Sequence, residues 1–230
     1  MVMTVIKSLI TKVVRGFSFV KAGERIEEIK TITADEARRL KVNIQMGVGK
    51  LNIAGGSKEW MDGTFLYREN KLVPLLSYTL QDDQGIISLQ QKSNSLKRRG
   101  GSEWDLNLTN ELPVELQIET GASSSSLDLS GTQIKKVDIQ TGVGNLELDL
   151  SGDWQESFQV NLECGVGDTT IHLPEGIGVR IETAQGLGKI KADGLTYHGD
   201  SLVNKAYGDS EVTIDIDANM GVGGLTFKSG

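Results

Sequence analysis

The sequence predicts an all-β protein, a parallel β-solenoid of stacked coils about 22 residues long, with an N-terminal amphipathic helix as cap or anchor. Three observations predict it. A Gly-x-Gly tripeptide stands between alternating apolar strands at Gly47-Val48-Gly49, Gly142-Val143-Gly144, Gly165-Val166-Gly167, Gly186-Leu187-Gly188 and Gly221-Val222-Gly223, with a degenerate copy at Gly121-Ala122-Ser123. The copies starting at 121, 142, 165 and 186 lie 21, 23 and 21 residues apart, which is a repeat period. No long helical period follows Arg39, so parallel neighbours have no crossover helices and must stack as coils.

Residues 2–17 come first. Val2, Val5, Ile6, Leu9, Ile10, Val13, Val14 and Phe17 fall on one half of a helical wheel, with Lys7, Lys12 and Arg15 opposite. Its many β-branched residues lower helix propensity, so the helix needs a surface for its apolar face. That surface is either the open end of the repeat stack, which needs a cap, or an anionic membrane, which Lys7, Lys12 and Arg15 would contact. Residues 1–22 are assigned to this segment and 23–230 to one solenoid domain.

From Arg25 onward the period is two. Lys41-Val42-Asn43-Ile44-Gln45, Val114 to Ile118, Val137 to Gln140 and Val212 to Ile216 alternate apolar and polar residues, and Leu51, Ile53, Leu127, Leu129, Leu146, Leu148 and Leu150 continue the pattern past the turns. Gly47, Gly49, Gly142, Gly144, Gly165, Gly167, Gly186, Gly188, Gly221 and Gly223 are structural turns on this reading. A meander with a hairpin at each Gly-x-Gly is the competing arrangement; near-equal spacing favours the solenoid. Two intervals break the period, 47 to 121 and 186 to 221. The first places irregular coils at 54–110, with strand-like runs at Thr64 to Tyr67, Leu75 to Leu80 and Ile86 to Gln90, before the regular repeats of 111–230. It carries Trp60, Phe65, Tyr67, Tyr78 and Trp104, which either plug the core or contact a partner. The second carries Tyr197, His198 and Tyr207, the candidate partner surface.

The chemistry-bearing residues are sparse. A formal charge of -7, with Lys97-Arg98-Arg99 as the one dense basic run, argues against a nucleic-acid partner. The single cysteine, Cys164, stands immediately before a Gly-x-Gly, where Met46, Thr120, Thr141, Gln185 and Met220 stand in other copies, so its role is packing. Asp200 and Asp209 near His198 make a weak metal constellation, since the chain has two histidines and no i to i+4 pair. Gly47-Val48-Gly49-Lys50 is no phosphate loop, because Leu51 follows the lysine, and a cofactor loop would occur once instead of recurring. No cofactor, metal or catalytic residue is assigned. The N-terminal apolar run is interrupted by Lys7 and Lys12, unlike a secretory signal, so the expected location is the cytoplasm, with a peripheral position at the inner membrane if the helix binds lipid.

Asn43-Ile44-Gln45-Met46-Gly47-Val48-Gly49-Lys50-Leu51-Asn52-Ile53, with Gly55-Gly56 and Gly63-Thr64-Phe65, resembles the N-terminal toast-rack domain of bacterial proteins. Asn204-Lys205-Ala206-Tyr207-Gly208 through Met220-Gly221-Val222-Gly223-Gly224-Leu225 resembles the closing repeat of those proteins and of the LiaF-type envelope-stress regulators. The resemblance implies a rack-like solenoid that is no enzyme, and LiaF-type members act as membrane-tethered repressors of a sensor kinase. The chain departs from them in lacking their hydrophobic spans. The function expected is therefore a non-catalytic scaffold or regulatory protein of the cell-envelope stress response, with an adhesin-like surface module as the alternative. Its expected partner is a sensor kinase or a second copy.

Overall fold

Each period-two strand, its glycine bend and the strand that follows form one continuous bent strand in the computed structural model, which describes residues 13–15, 25–68, 72–92 and 101–229. Six such strands run 16 to 19 residues: β3 (Arg39–Ser57), β8 (Pro113–Asp128), β9 (Gln133–Asp149), β10 (Phe158–Leu173), β11 (Gly178–Asp193) and β14 (Thr213–Ser229). All pair in parallel, along both arms of the bend, in the order β3-β8-β9-β10-β14-β11. Parallel pairing through the bend rules out the hairpin arrangement, in which each Gly-x-Gly would reverse the chain.

The bend also resets which side chains face inward. In β3 the buried residues are Leu40, Val42, Ile44 and Met46, then Leu51 and Ile53. A step of five residues in a straight strand would turn Leu51 to the opposite face. Because the chain turns at Gly47 to Gly49, both arms face one core, and in-register stacking builds apolar columns. One runs Ile87, Val42, Leu116, Val137, Val160, Ile216, Ile181 and another Leu106, Ile53, Leu127, Leu148, Ile171, Phe227. All of these are at most 2% exposed, a dry spine that carries the hydrophobic stabilisation.

Stacking order departs from chain order at one place. A solenoid whose every coil stacked on the preceding one would place β11 on β10, but β14 inserts between them. Beyond β11 the chain forms the small hairpin β12 (Thr196–His198) and β13 (Ser201–Val203), which covers β11 only at Arg180 and Ile181, and then returns as β14. The segment resembling a closing repeat is therefore an interior coil, and β11 is the terminal one.

The irregular stretch 54–110 holds no continuous bent strand. Its strands β4 (Met61–Arg68), β5 (Pro74–Gln81), β6 (Gln84–Gln91) and β7 (Ser102–Thr109) are not further bent coils. β6 pairs in parallel with the first arm of β3 and β7 with its second arm, so the two make a broken coil lacking a continuous bend. Antiparallel strands extend each half: β5 on β6, and β4, β2 (Arg25–Ile32) and β1 (Val13–Arg15) on β7. Gln91 stands in for the missing bend: its amide accepts from Val48 N and donates to Val48 O, both at 2.9 Å, and donates to Ser102 Oγ. Trp60, Phe65, Tyr67, Tyr78 and Trp104 are all 7% exposed or less, so they plug this end of the core and offer no partner surface. Asp35 ties the plug together, accepting from Trp60 Nε1 (2.9 Å) and the Tyr78 hydroxyl (2.8 Å), while Lys30 Nζ bridges to Pro74 O (2.8 Å) between the two extensions.

The N-terminal helix receives no support. Val13–Arg15 are a strand, paired antiparallel with Lys30 to Ile32, where a helix was expected through residue 17; the remainder of that segment, with Lys7 and Lys12, lies outside the described residues. β-branched Val13 and Val14 favour the extended state wherever a free sheet edge is available. Among the described residues no helix is long and apolar enough to cross a membrane.

The plug makes a prediction about alkaline pH. Burial, reinforced by the Glu28 carboxylate that accepts from its hydroxyl at 3.0 Å, pushes the Tyr67 phenol up to about 12; burial and Asp35 raise Tyr78 as well. An unfolded tyrosine titrates near 10, so between pH 10 and 12 the native state holds protons that the unfolded chain releases. Stability is therefore full below pH 10 and falls as pH rises toward 12. Urea midpoints measured across that window should drop steadily, and Tyr67→Phe should flatten part of the slope; a wild-type midpoint constant across it would refute the assignment.

Candidate interaction surface

Stacking repeats the surface as well as the core. The residue between the glycines forms one column along the bend: Val48, Ala122, Val143, Val166, Val222 and Leu187. Val143, Val166, Val222 and Leu187 are 54, 48, 45 and 72% exposed, so large aliphatic side chains stand in water as a continuous ridge. The whole column spans five inter-strand steps, about 24 Å, and its exposed ridge three of them, about 14 Å. Isolated exposed apolar residues are ordinary, but an aligned row marks an interaction site.

Beside the ridge runs an open groove of about 1140 Å³, spanning all six coils and reaching Gln90 and Gln91 of the broken one. Its floor is the column of first glycines. A Cβ on Gly121 would come within 2.5 Å of the Gly47 carbonyl oxygen, and one on Gly142 within 2.6 Å of that of Gly121, so tight stacking leaves bare backbone here. The second glycine of each bend answers to two constraints. At Gly167 φ is +144° and a Cβ would enter the Gly144 carbonyl oxygen. The degenerate copy escapes: Ser123 is buried without positive φ, and its hydroxyl pairs with Ser125.

The groove wall is a ladder of alternating amide and carboxylate: Gln45, Glu119, Gln140, Glu163, Asn219, ending at Ala184. A neighbouring row on the same arm reads Asn43, Gln117, Asp138, Asn161, Asp217, Glu182. Parallel in-register strands would set like charges about 5 Å apart, and an interposed amide both separates the carboxylates and donates to them. Gln45 Nε2 donates to Glu119 (3.1 Å) and Asn161 Nδ2 to Asp138 (2.6 Å). Burial opposes ionisation of Asp138, but the bond from Asn161 and the adjacent Lys136 (2.9 Å) outweigh it and hold the carboxyl below its ordinary range.

The residues singled out from sequence lie elsewhere. Tyr197 and His198 are exposed on β12, and the His198 ring meets half-buried Tyr207 edge-on at 6.2 Å; this small cluster at the terminal coil sits apart from the groove. Arg15 is on β1 at the opposite end. Cys164 lines the groove half-buried, and burial pushes its thiol up against the weaker opposing bond from Thr169 Oγ1, which keeps it protonated and in a packing role. Lys97-Arg98-Arg99 lie outside the described residues. Among the described residues no three metal-ligating side chains gather. Sequence reasoning does not find the ridge and ladder, because a bend and an alternating strand already account for the same residues, although the signal is present: the middle residue of every bend is aliphatic, and the residue two before each first glycine is polar in all but one copy.

The family described as the N-terminal domain of toast_rack matches residues 21–172. The chain belongs to the toast-rack family. A crystal structure from Clostridium sporogenes, of a protein assigned provisionally to cell adhesion, shares 34% identity with this toast-rack chain at a TM-score of 0.86, covering 90% of it and 100% of that protein. A provisionally assigned adhesin of Bacteroides fragilis covers 90% of the toast-rack chain and 98% of its own at 12% identity and a TM-score of 0.31. No protein of curated function matches. The family match ends within β10, so the inserted β14 and terminal β11 of this toast-rack protein lie beyond it.

Proposed function

We propose that this toast-rack protein is a non-catalytic interaction scaffold that presents its ridge and groove to an elongated partner at the bacterial cell envelope. The observation that carries the reading is continuity: one aliphatic column and one amide-carboxylate column cross all six coils. The resemblance to LiaF-type regulators implies a sensor kinase as that partner, which would make the scaffold a regulator. Identity of 34% to a protein assigned provisionally to cell adhesion supports a second reading, an adhesin-like surface module.

A photo-crosslinking residue at Gln140, in the groove wall, tests this in cells, with Glu147 on the exposed outer face of the other arm as control. Discrete adducts should form from position 140 and not from 147. A sensor kinase in the adduct supports regulation, and an extracellular or host component supports adhesion. Equal adducts from both positions, or none from 140, would sink the groove reading.

A further inference from the structure

We propose that the groove binds an extended, basic polypeptide segment whose aliphatic and cationic side chains alternate. The inference rests on the scaffold reading and names the chemistry of its ligand. An extended chain sends successive side chains to opposite sides. Laid along the stack over the glycine floor, it has the ladder of the groove wall on one side and, on the other, the valine ridge that stands one residue past the first glycines and just outside the groove lining, so its two sides need opposite characters.

The ridge side takes aliphatic groups. Val143, Val166, Val222 and Leu187 are 45 to 72% exposed and lose that exposure on contact.

The ladder side takes cations. The groove lining holds two carboxylates, Glu119 and Glu163, and no lysine, arginine or histidine. The adjoining row adds Asp138, Asp217 and Glu182, again with no cation. Lys136 compensates Asp138 and Arg180 compensates Glu182, but Glu119 is met by the amides of Gln45 and Gln117, and Asp217 by that of Asn219. The wall therefore presents negative charge that amides orient without neutralising. Glu119 and Glu163 stand two strands apart, about 10 Å, a separation that flexible lysine side chains on one side of an extended segment span. A saccharide is the poorer fit, because sugar rings stack on aromatic faces and the lining holds none.

The test uses the full chain and a fluorescently labelled, acetylated (Leu-Lys)4 octapeptide, which spans about 27 Å when extended. Anisotropy should show saturable binding that weakens with salt. Glu119→Gln with Glu163→Gln should weaken it about tenfold, and Val143→Asn with Val166→Asn by a similar factor. The charge-matched control Glu111→Gln with Glu175→Gln, at exposed positions outside the groove, should leave it unchanged. Urea midpoints establish that each variant is folded. Equal binding by the carboxylate-to-amide variant, equal loss in the control, equal binding of (Leu-Glu)4, or preference for a glucosamine hexamer over the octapeptide would each overturn the proposal. Should Gln140 still give its own adducts in cells, such a result removes the ligand chemistry and leaves the scaffold standing.

Discussion

Gly167→Ala should destabilise the protein by about 4 kcal/mol or more, a large share of the stability of a folded domain. Two effects add. Alanine at φ +144° is strained wherever it stands, and its Cβ would enter the carbonyl oxygen of Gly144 on the neighbouring coil. The coil cannot move away locally, because Gly144 and Gly223 flank it in register and the same contact recurs from Gly223 to Gly167. Relief requires β10 to part from its neighbours along the bend, which opens the columns beneath Val160, Leu162 and Ile171. Gly176→Ala is the comparison: no atom lies within 4 Å of its added Cβ and its φ is not positive, so its stability should stay within about 0.5 kcal/mol of wild type. Urea denaturation followed by circular dichroism reads both. Equal midpoints for the two variants would show that the bend tolerates a side chain, and the close-stacking account would fall.

Asn204→Ala should cost about 3 kcal/mol. Asn204 is 5% exposed and satisfies three backbone groups: its Nδ2 donates to Ile177 O (2.7 Å) and Pro174 O (3.2 Å), and its Oδ1 accepts from Val179 N (3.0 Å). These groups belong to the link between β10 and β11, which must arch over the inserted β14, and to the first residues of β11. Alanine leaves one donor and two acceptors buried without that partner, where water replaces them poorly. Asn145→Ala should cost less than about 1 kcal/mol, because its one bond, accepted from Asp168 N, is exposed. Faster amide exchange at Val179 should accompany the loss in Asn204→Ala. Midpoints falling equally in both variants would place the effect elsewhere than in this buried link.

Much of the architecture was legible in local residues. Val42, Ile44, Leu51 and Ile53 alternate on either side of a glycine pair, and that pattern identifies a half-buried strand, a bend and a second strand irrespective of distant partners. Legibility failed where identical motifs compete. Every bend carries the same Gly-aliphatic-Gly, so nothing in the motif says which coil lies beside which, and β14 took a place that chain order had given to β11. One signal existed: Lys189-Ile190-Lys191 reads as an edge, since exposed lysines blunt a free strand, and Ile190 is 38% exposed there. The N-terminal segment failed for a different reason. A helical wheel detects apolar periodicity without the free edge of β2, and pairing with that edge satisfies the backbone of Val13–Arg15 as a strand.

The interaction surface was the least legible part, because it is made by stacking. Gln45, Glu119, Gln140 and Glu163 are 74, 21 and 23 residues apart in sequence and adjacent in space. The sequence by itself determined the strand period, the bends, the residues of the core and their membership of a repeat. Only the tertiary structure decided the order of the coils, the open edge at β11 and the alignment of valines and carboxylates into a ridge and a wall. Periodicity is a property of neighbouring residues and survives in one dimension, whereas register between equivalent coils is a choice among near-equal pairings, settled by which complete stack buries the most apolar surface and leaves the fewest backbone groups unpaired.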